Sequence, residues 1–139
     1  MLYTDSIENV TAENLEGFFV GWPNRPSPQM HFDLLKNSDE IVLVIDECGS
    51  KVVGFITAIT DKTLAAYIPF LEVLPAYQGQ GIGKELVRRM MERLRKLYAI
   101  DLLCDPELQP FYESLGMRKA HGMMIRNYEH QAGKDQSKQ

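Results

Sequence analysis

The stretch Gln78-Gly79-Gln80-Gly81-Ile82-Gly83-Lys84 has residue types and spacing suited to holding an anion. It stands between a strand-like segment and an amphipathic helix pattern, so its main-chain N–H groups fall at a helix N-terminus, where nothing inside the helix can bond them. Glycines at 79, 81 and 83 remove the Cβ atoms that would keep a phosphate off the backbone. Two familiar phosphate loops do not match. A P-loop reads G-x-x-x-x-G-K-[ST], but Gln78 stands at its first glycine and Glu85 follows Lys84. A dinucleotide fingerprint, G-x-G-x-x-G, wants glycine where the chain has Lys84. Asp101 lies where such a fold would place its ribose-binding acid, which keeps a dinucleotide-binding domain as an alternative. The short chain left after it argues against a full doubly wound sheet.

Other chemically able residues give weaker patterns. Cys48 and Cys104 are too few for a disulfide framework and lack His or Cys partners at zinc spacing, so both are expected as reduced thiols and no metal site is expected. His31, His121 and His130 show no ligand spacing. The helix after the glycines carries Lys84, Arg88, Arg89, Arg93, Arg95 and Lys96 against Glu85 and Glu92, mainly a solvated face, with Lys84 nearest a bound phosphate.

The elements that position these residues follow from periodicity. Thr11 is expected to cap a helix reaching Val20, and three prolines between Gly21 and Pro28 mark a loop. Ser27 and Pro28 then read as N-cap and first residue of a second helix ending at Lys36-Asn37. Ile41–Ile45, Lys51–Ile59 and Leu64–Leu74 read as a three-stranded antiparallel meander. Gly81 to Leu97 forms the longest helix, with Ile82, Leu86, Met90 and Leu94 on one stripe. Ala99–Cys104 reads as a strand, Asp105-Pro106 starts a helix ended by Gly116, and Met123–Ile125 reads as a last strand. Leu2–Thr4 adds a short one. The order describes an α+β layer structure with a central mixed sheet, covering residues 1–128 as one domain, with 129–139 as a frayed polar tail.

Two motifs together resemble a known family. The segment Leu71-x-Val73-x-Pro75-x-x-Gln78-Gly79-Gln80-Gly81-Ile82-Gly83-Lys84 resembles the acyl-CoA-binding motif Q/R-x-x-G-x-G/A of the GNAT family of N-acetyltransferases, and Phe111-Tyr112-Glu113-Ser114-Leu115-Gly116-Met117 resembles its second signature. The resemblance covers roughly residues 40–128. It implies a mostly antiparallel sheet flanked by helices on both faces, with acyl-CoA bound in a splay between the family's fourth and fifth strands. It further implies that Gln78 to Lys84 hold the pyrophosphate of acetyl-CoA and that Leu71 and Val73 offer main-chain groups to the pantetheine arm. Tyr112 is implied as general acid toward the thioester sulfur. Glu72, beside that site, is a candidate general base. Trp22 and Arg25 lie in a loop that borders the acceptor pocket in the family. The expected activity is transfer of an acetyl group to a primary amine on a small molecule or peptide. A non-catalytic CoA or nucleotide sensor is the alternative, and a homodimer is left open.

Composition fits this reading. A length of 139 residues suits one domain, with apolar residues at 45% and charged residues at 24%, enough to bury a core. A net charge of -4 gives no general attraction for nucleic acid. The first residues lack the charged and apolar regions of a signal peptide, and no apolar run is long enough to span a bilayer, so a cytoplasmic protein with no membrane partner is expected.

Overall fold

The computed structural model describes residues 1–133. Its elements are β1 (Leu2–Thr4), α1 (Pro28–Asn37), β2 (Glu40–Asp46), β3 (Lys51–Thr60), β4 (Ala65–Tyr67), β5 (Leu71–Val73), α2 (Ile82–Arg93), β6 (Ala99–Asp101) and α3 (Gln109–Ser114). The sheet runs β1-β2-β3-β4-β6, with β5 also paired to β3. Every pairing is antiparallel except that of β4 with β6.

Alternation along β3 assigns its two faces. Phe55 packs edge-on against Phe18 and near His31, toward α1 and the turn before it. Its neighbour Gly54 faces α2, where an added Cβ would come within 2.8 Å of Val44 and 3.2 Å of Leu86. Helical layers therefore cover both faces, and β2, sandwiched between them, is apolar without interruption from Ile41 to Val44.

The start of α1 is as expected: the Ser27 hydroxyl accepts the Met30 N–H at 3.1 Å and Pro28 is the first helical residue. The expected Thr11–Val20 helix is only a 3₁₀ turn, Ala12–Leu15. Gly17 at φ 98° and Phe19 at φ 61° break it, and the chain instead folds Leu15, Phe18 and Phe19 into the core. The expected 64–74 strand is two strands. Around Pro69 the chain shifts, so that Ile68 donates to the Asp101 carbonyl while Phe70 accepts from the Thr57 N–H. The strand after α2 stops at Asp101, and the helix after Asp105 begins as a 3₁₀ turn, Pro106–Leu108. Met123–Ile125 forms no strand: it is exposed and unpaired among the described residues. The expected tail begins with a 3₁₀ turn at Tyr128–His130, and Gln131 accepts the Asn24 N–H at 3.0 Å. Residues 134–139 lie outside the described residues.

Candidate active site

The split of the 64–74 segment makes a cleft. Up to Ile68 the chain is hydrogen-bonded to β6, but β5 pairs only with β3, so the sheet parts between β5 and the segment that follows β6. The Thr57 N–H bonds Phe70 and the Leu74 N–H bonds the Val53 carbonyl at 2.8 Å. Strand alternation then turns the main-chain groups of Leu71 and Val73 away from β3, toward the gap. The Val73 carbonyl accepts the Gln78 side-chain amide at 3.0 Å, so Gln78 braces this strand end.

The glycine stretch sits where β5 runs into α2. Gly79 (φ 80°) and Gly81 (φ 83°) are both left-handed, with open space where a Cβ would stand. No side chain caps α2, and Glu85 is the first residue whose N–H bonds back, to the Gly81 carbonyl at 3.1 Å. The preceding N–H groups and the positive end of the helix are left for an anion, and the Cβ-free turn lets it approach. Gly83 has a packing reason: its Cβ position lies 3.7 Å from Phe111 and 3.8 Å from Val73, so it closes α2 onto α3 and β5. Ile82 is buried in the core. Gln80 and Lys84 are exposed. Glu85 bonds Arg88 at 2.6 Å and Arg89 at 2.7 Å, and these guanidiniums hold its carboxyl down at about 2. Lys84 makes no ion pair among the described residues and is the free cation beside the turn.

Leu71, Leu102, Cys104, Asp105, Tyr112 and Arg126 line the cleft. Burial pushes the Tyr112 hydroxyl up to about 12, helped by the nearby Cys104. Tyr112 thus keeps its proton at neutral pH and suits a donor, not a base. Burial and Asp105 also raise the Cys104 thiol, leaving it protonated and unsuited as a nucleophile.

Glu72 does not project free into the cleft. Its two carboxylate oxygens accept the N–H groups of Phe19 at 2.9 Å and Val20 at 3.3 Å. The carboxylate of this candidate base thus also holds a turn. Phe19 stacks with Trp22 (4.9 Å between centroids), and Trp22 with Phe70 (6.3 Å), so Trp22 belongs to an aromatic wall reached through Glu72. Arg25 is exposed on the same loop without an ion-pair partner among the described residues. Sequence reasoning missed Phe19, Phe70 and Arg126. The Phe18-Phe19 doublet after Gly17 was the available signal for the first of these.

Against known proteins, residues 7–117 match the family model described as Acetyltransferase (GNAT) family. The chain belongs to the GNAT family. It is 33% identical over 124 residues to an uncharacterized N-acetyltransferase, ycf52, of Pyropia yezoensis, covering 85% of this chain and 71% of that one. A solved structure from Deinococcus radiodurans R1, provisionally designated an acetyltransferase, superposes with TM-score 0.94 at 41% identity, covering 96% of this chain and 93% of that chain. A GNAT family acetyltransferase from Streptococcus pneumoniae TIGR4 superposes with TM-score 0.70 at 29% identity, covering 91% and 96%. This GNAT chain is therefore an acyltransferase of the N-acetyltransferase type, a family that generally uses acetyl-CoA and amine acceptors. No described helix is long and apolar enough to cross a membrane.

Proposed function

We propose that the chain moves an acetyl group from acetyl-CoA to a primary amine by direct attack, with Tyr112 as the general acid. The observation that carries this is a half-buried, protonated tyrosine lining a cleft that opens beside an uncapped, glycine-rich helix start. The turn from Gly79 to Lys84 suits the pyrophosphate, and the outward main-chain groups of Leu71 and Val73 suit the amides of the pantetheine arm. Acetyl-CoA supplies the activated acyl carbon.

The residues then align the two reactants, which is where most of the acceleration of such a transfer arises. The amine loses its proton to solvent, since the Glu72 carboxylate is occupied by Phe19 and Val20. As nitrogen bonds to the acyl carbon and the carbon–sulfur bond breaks, Tyr112 gives its proton to the departing sulfur, and the second proton shed by the new amide nitrogen returns through solvent to the tyrosine. Trp22 and Arg25 border the side from which the amine enters, and the amine is either a small molecule or part of a peptide.

An amine library read by thiol release finds the acceptor, and Tyr112→Phe then tests the acid. The ring and its packing on Phe111 stay, and the proton goes. We expect kcat to fall at least ~10-fold, within the ~10²–10⁴-fold a positioned acid contributes, with acetyl-CoA affinity and Tm unchanged. Wild-type turnover with chemistry rate-limiting removes Tyr112 from the mechanism. Binding of NADH in place of acetyl-CoA would return the dinucleotide reading, and acetyl-CoA binding without thiol release for any amine would return the sensor.

A further inference from the structure

The glycines that give the turn from Gly79 to Lys84 room for an anion also leave it little to fix its own shape. Nothing lies within 4 Å of a Cβ position at Gly79 or Gly81. Gln80 and Lys84 are exposed, and no main-chain N–H from Gly79 to Lys84 finds a backbone acceptor among the described residues. A turn built on two left-handed glycines samples many shapes, so ordering it costs affinity unless its flanks order it beforehand.

One flank is α2, seated in the core through Ile82 and Leu86. The other is the 3₁₀ turn Pro75–Tyr77, which two side-chain bonds hold. Gln78 grips the Val73 carbonyl within the same segment. The second bond reaches much further: the Tyr77 hydroxyl donates to Asp46 Oδ2 at 2.8 Å. β2 and β5 both pair with β3, and Asp46 stands opposite Lys51, the first residue of β3. The chain leaves β5 just after the Leu74 N–H bonds the Val53 carbonyl. Tyr77 thus ties the exit of β5 to the end of β2, two strands that do not pair with each other.

Both ends of this tie are fixed. The Tyr77 ring packs against the core. The other oxygen of Asp46, Oδ1, accepts the Cys48 N–H at 3.1 Å in the turn between β2 and β3. The Tyr77 hydroxyl and the Cys48 N–H hold the Asp46 carboxyl below its usual range, so it is ionised at neutral pH. A hydroxyl donating to a carboxylate makes the stronger, charge-assisted kind of bond. Neither residue lines the cleft beside Tyr112, so whatever the pair does for the reaction passes through the turn that Tyr77 enters.

We propose that Tyr77 and Asp46 are positioning residues for the donor, their hydrogen bond holding the turn from Gly79 to Lys84 in the shape that receives the pyrophosphate of acetyl-CoA. This rests on the reading of that turn as the pyrophosphate site. The bond acts before the donor arrives, so it serves affinity for the donor and not the chemical step.

Calorimetry with CoA on the full chain tests it. Tyr77→Phe keeps the ring and removes the donor. Its CoA affinity should fall about tenfold, the worth of one charge-assisted hydrogen bond. Asp46→Asn, which keeps an acceptor for the Cys48 N–H, should weaken CoA in the wild type and have no further effect in the Tyr77→Phe background; additive losses overturn the pairing. Pantetheine, which lacks the pyrophosphate, is the second probe, read by ligand-observed NMR. Its affinity should be the same in wild type and Tyr77→Phe, and an equal loss for both probes would reduce the tie to general support of the fold. Gly81→Val separates the two ways of failing. If it weakens CoA while Tyr77→Phe does not, the tie is refuted and the turn remains the pyrophosphate site; if neither changes CoA affinity, the reading of the turn falls and takes the tie with it.

Discussion

The Glu72 carboxylate accepts the main-chain N–H of Phe19 at 2.9 Å, and Phe19 sits at φ 61° with its side chain buried. A non-glycine residue in that conformation costs roughly 1–2 kcal/mol, and a charged acceptor on its N–H, shared with Val20, offsets the strain. Glu72 thereby braces the turn that carries Phe19 against Trp22, which in turn neighbours Phe70.

Glu72→Ala should lower stability by about 1–3 kcal/mol through the two unpaired N–H groups. With an acceptor in hand, its KM should rise more than kcat falls. The pH profile distinguishes this role from proton abstraction: in Glu72→Gln the acidic limb of kcat/KM should persist, and its disappearance would identify Glu72 as a base.

Gly81 stands at φ 83° with open space around its Cβ position, so substitution there strains the backbone without creating a clash. Gly81→Val adds a branched side chain where an anion would approach. Calorimetry should show weaker acetyl-CoA binding with the fold retained, and unaltered affinity would take the turn out of the cofactor site.

Gly54 gives the opposite case. Its φ is ordinary, but a Cβ would stand 2.8 Å from Val44 and 3.2 Å from Leu86. Gly54→Ala should push α2 off the sheet and cost about 1–3 kcal/mol, as overpacking does. Denaturant titration measures it, and a loss in acetyl-CoA affinity should accompany it if the start of α2 holds the pyrophosphate as proposed.

His31 is 1% exposed among Phe18, Phe19 and Phe55, with neither ring nitrogen hydrogen-bonded. Burial lowers its pKa to about 4 from an ordinary 6.5. Between those values the unfolded chain binds a proton that the folded one does not. Stability present above pH 6.5 is thus lost progressively as pH falls toward 4, by about 3 kcal/mol in all. The difference between the stability–pH curves of wild type and His31→Leu should show this slope; parallel curves would refute it.

Local signals were legible where one segment decides its own structure. Ser27-Pro28 began α1, the β-branched run gave β2, and the stripe through Leu86 and Met90 gave α2. The Thr11–Val20 segment misled because Leu15, Phe18 and Phe19 have helical spacing yet reach the core from a broken turn. The turn-holding contacts of Glu72 were not legible for a different reason: its partners are about fifty positions away, and no spacing rule announces a carboxylate that caps a distant turn. Leu71, Val73 and Tyr112 were legible as a strand pair and a helical residue, but the change of strand partner around Pro69 that lines Leu71 and Tyr112 along one cleft arises only in the sheet.

That change of partner has a mechanical side. β1, β2, β3 and β5 form one plate, and β4 with β6 forms another, hinged along the far end of β3 at Ile59 and Thr60. Among the described residues the smaller plate joins the larger within the sheet through the Ile59–Tyr67 and Thr60–Ala66 pairs and the Asp61 to Ala65 bond beside them, the Ile68 to Asp101 bond lying inside the smaller plate itself. A molecule seated between the plates acts as a brace, and the stiffness it adds is greatest at β6, the part furthest from the hinge.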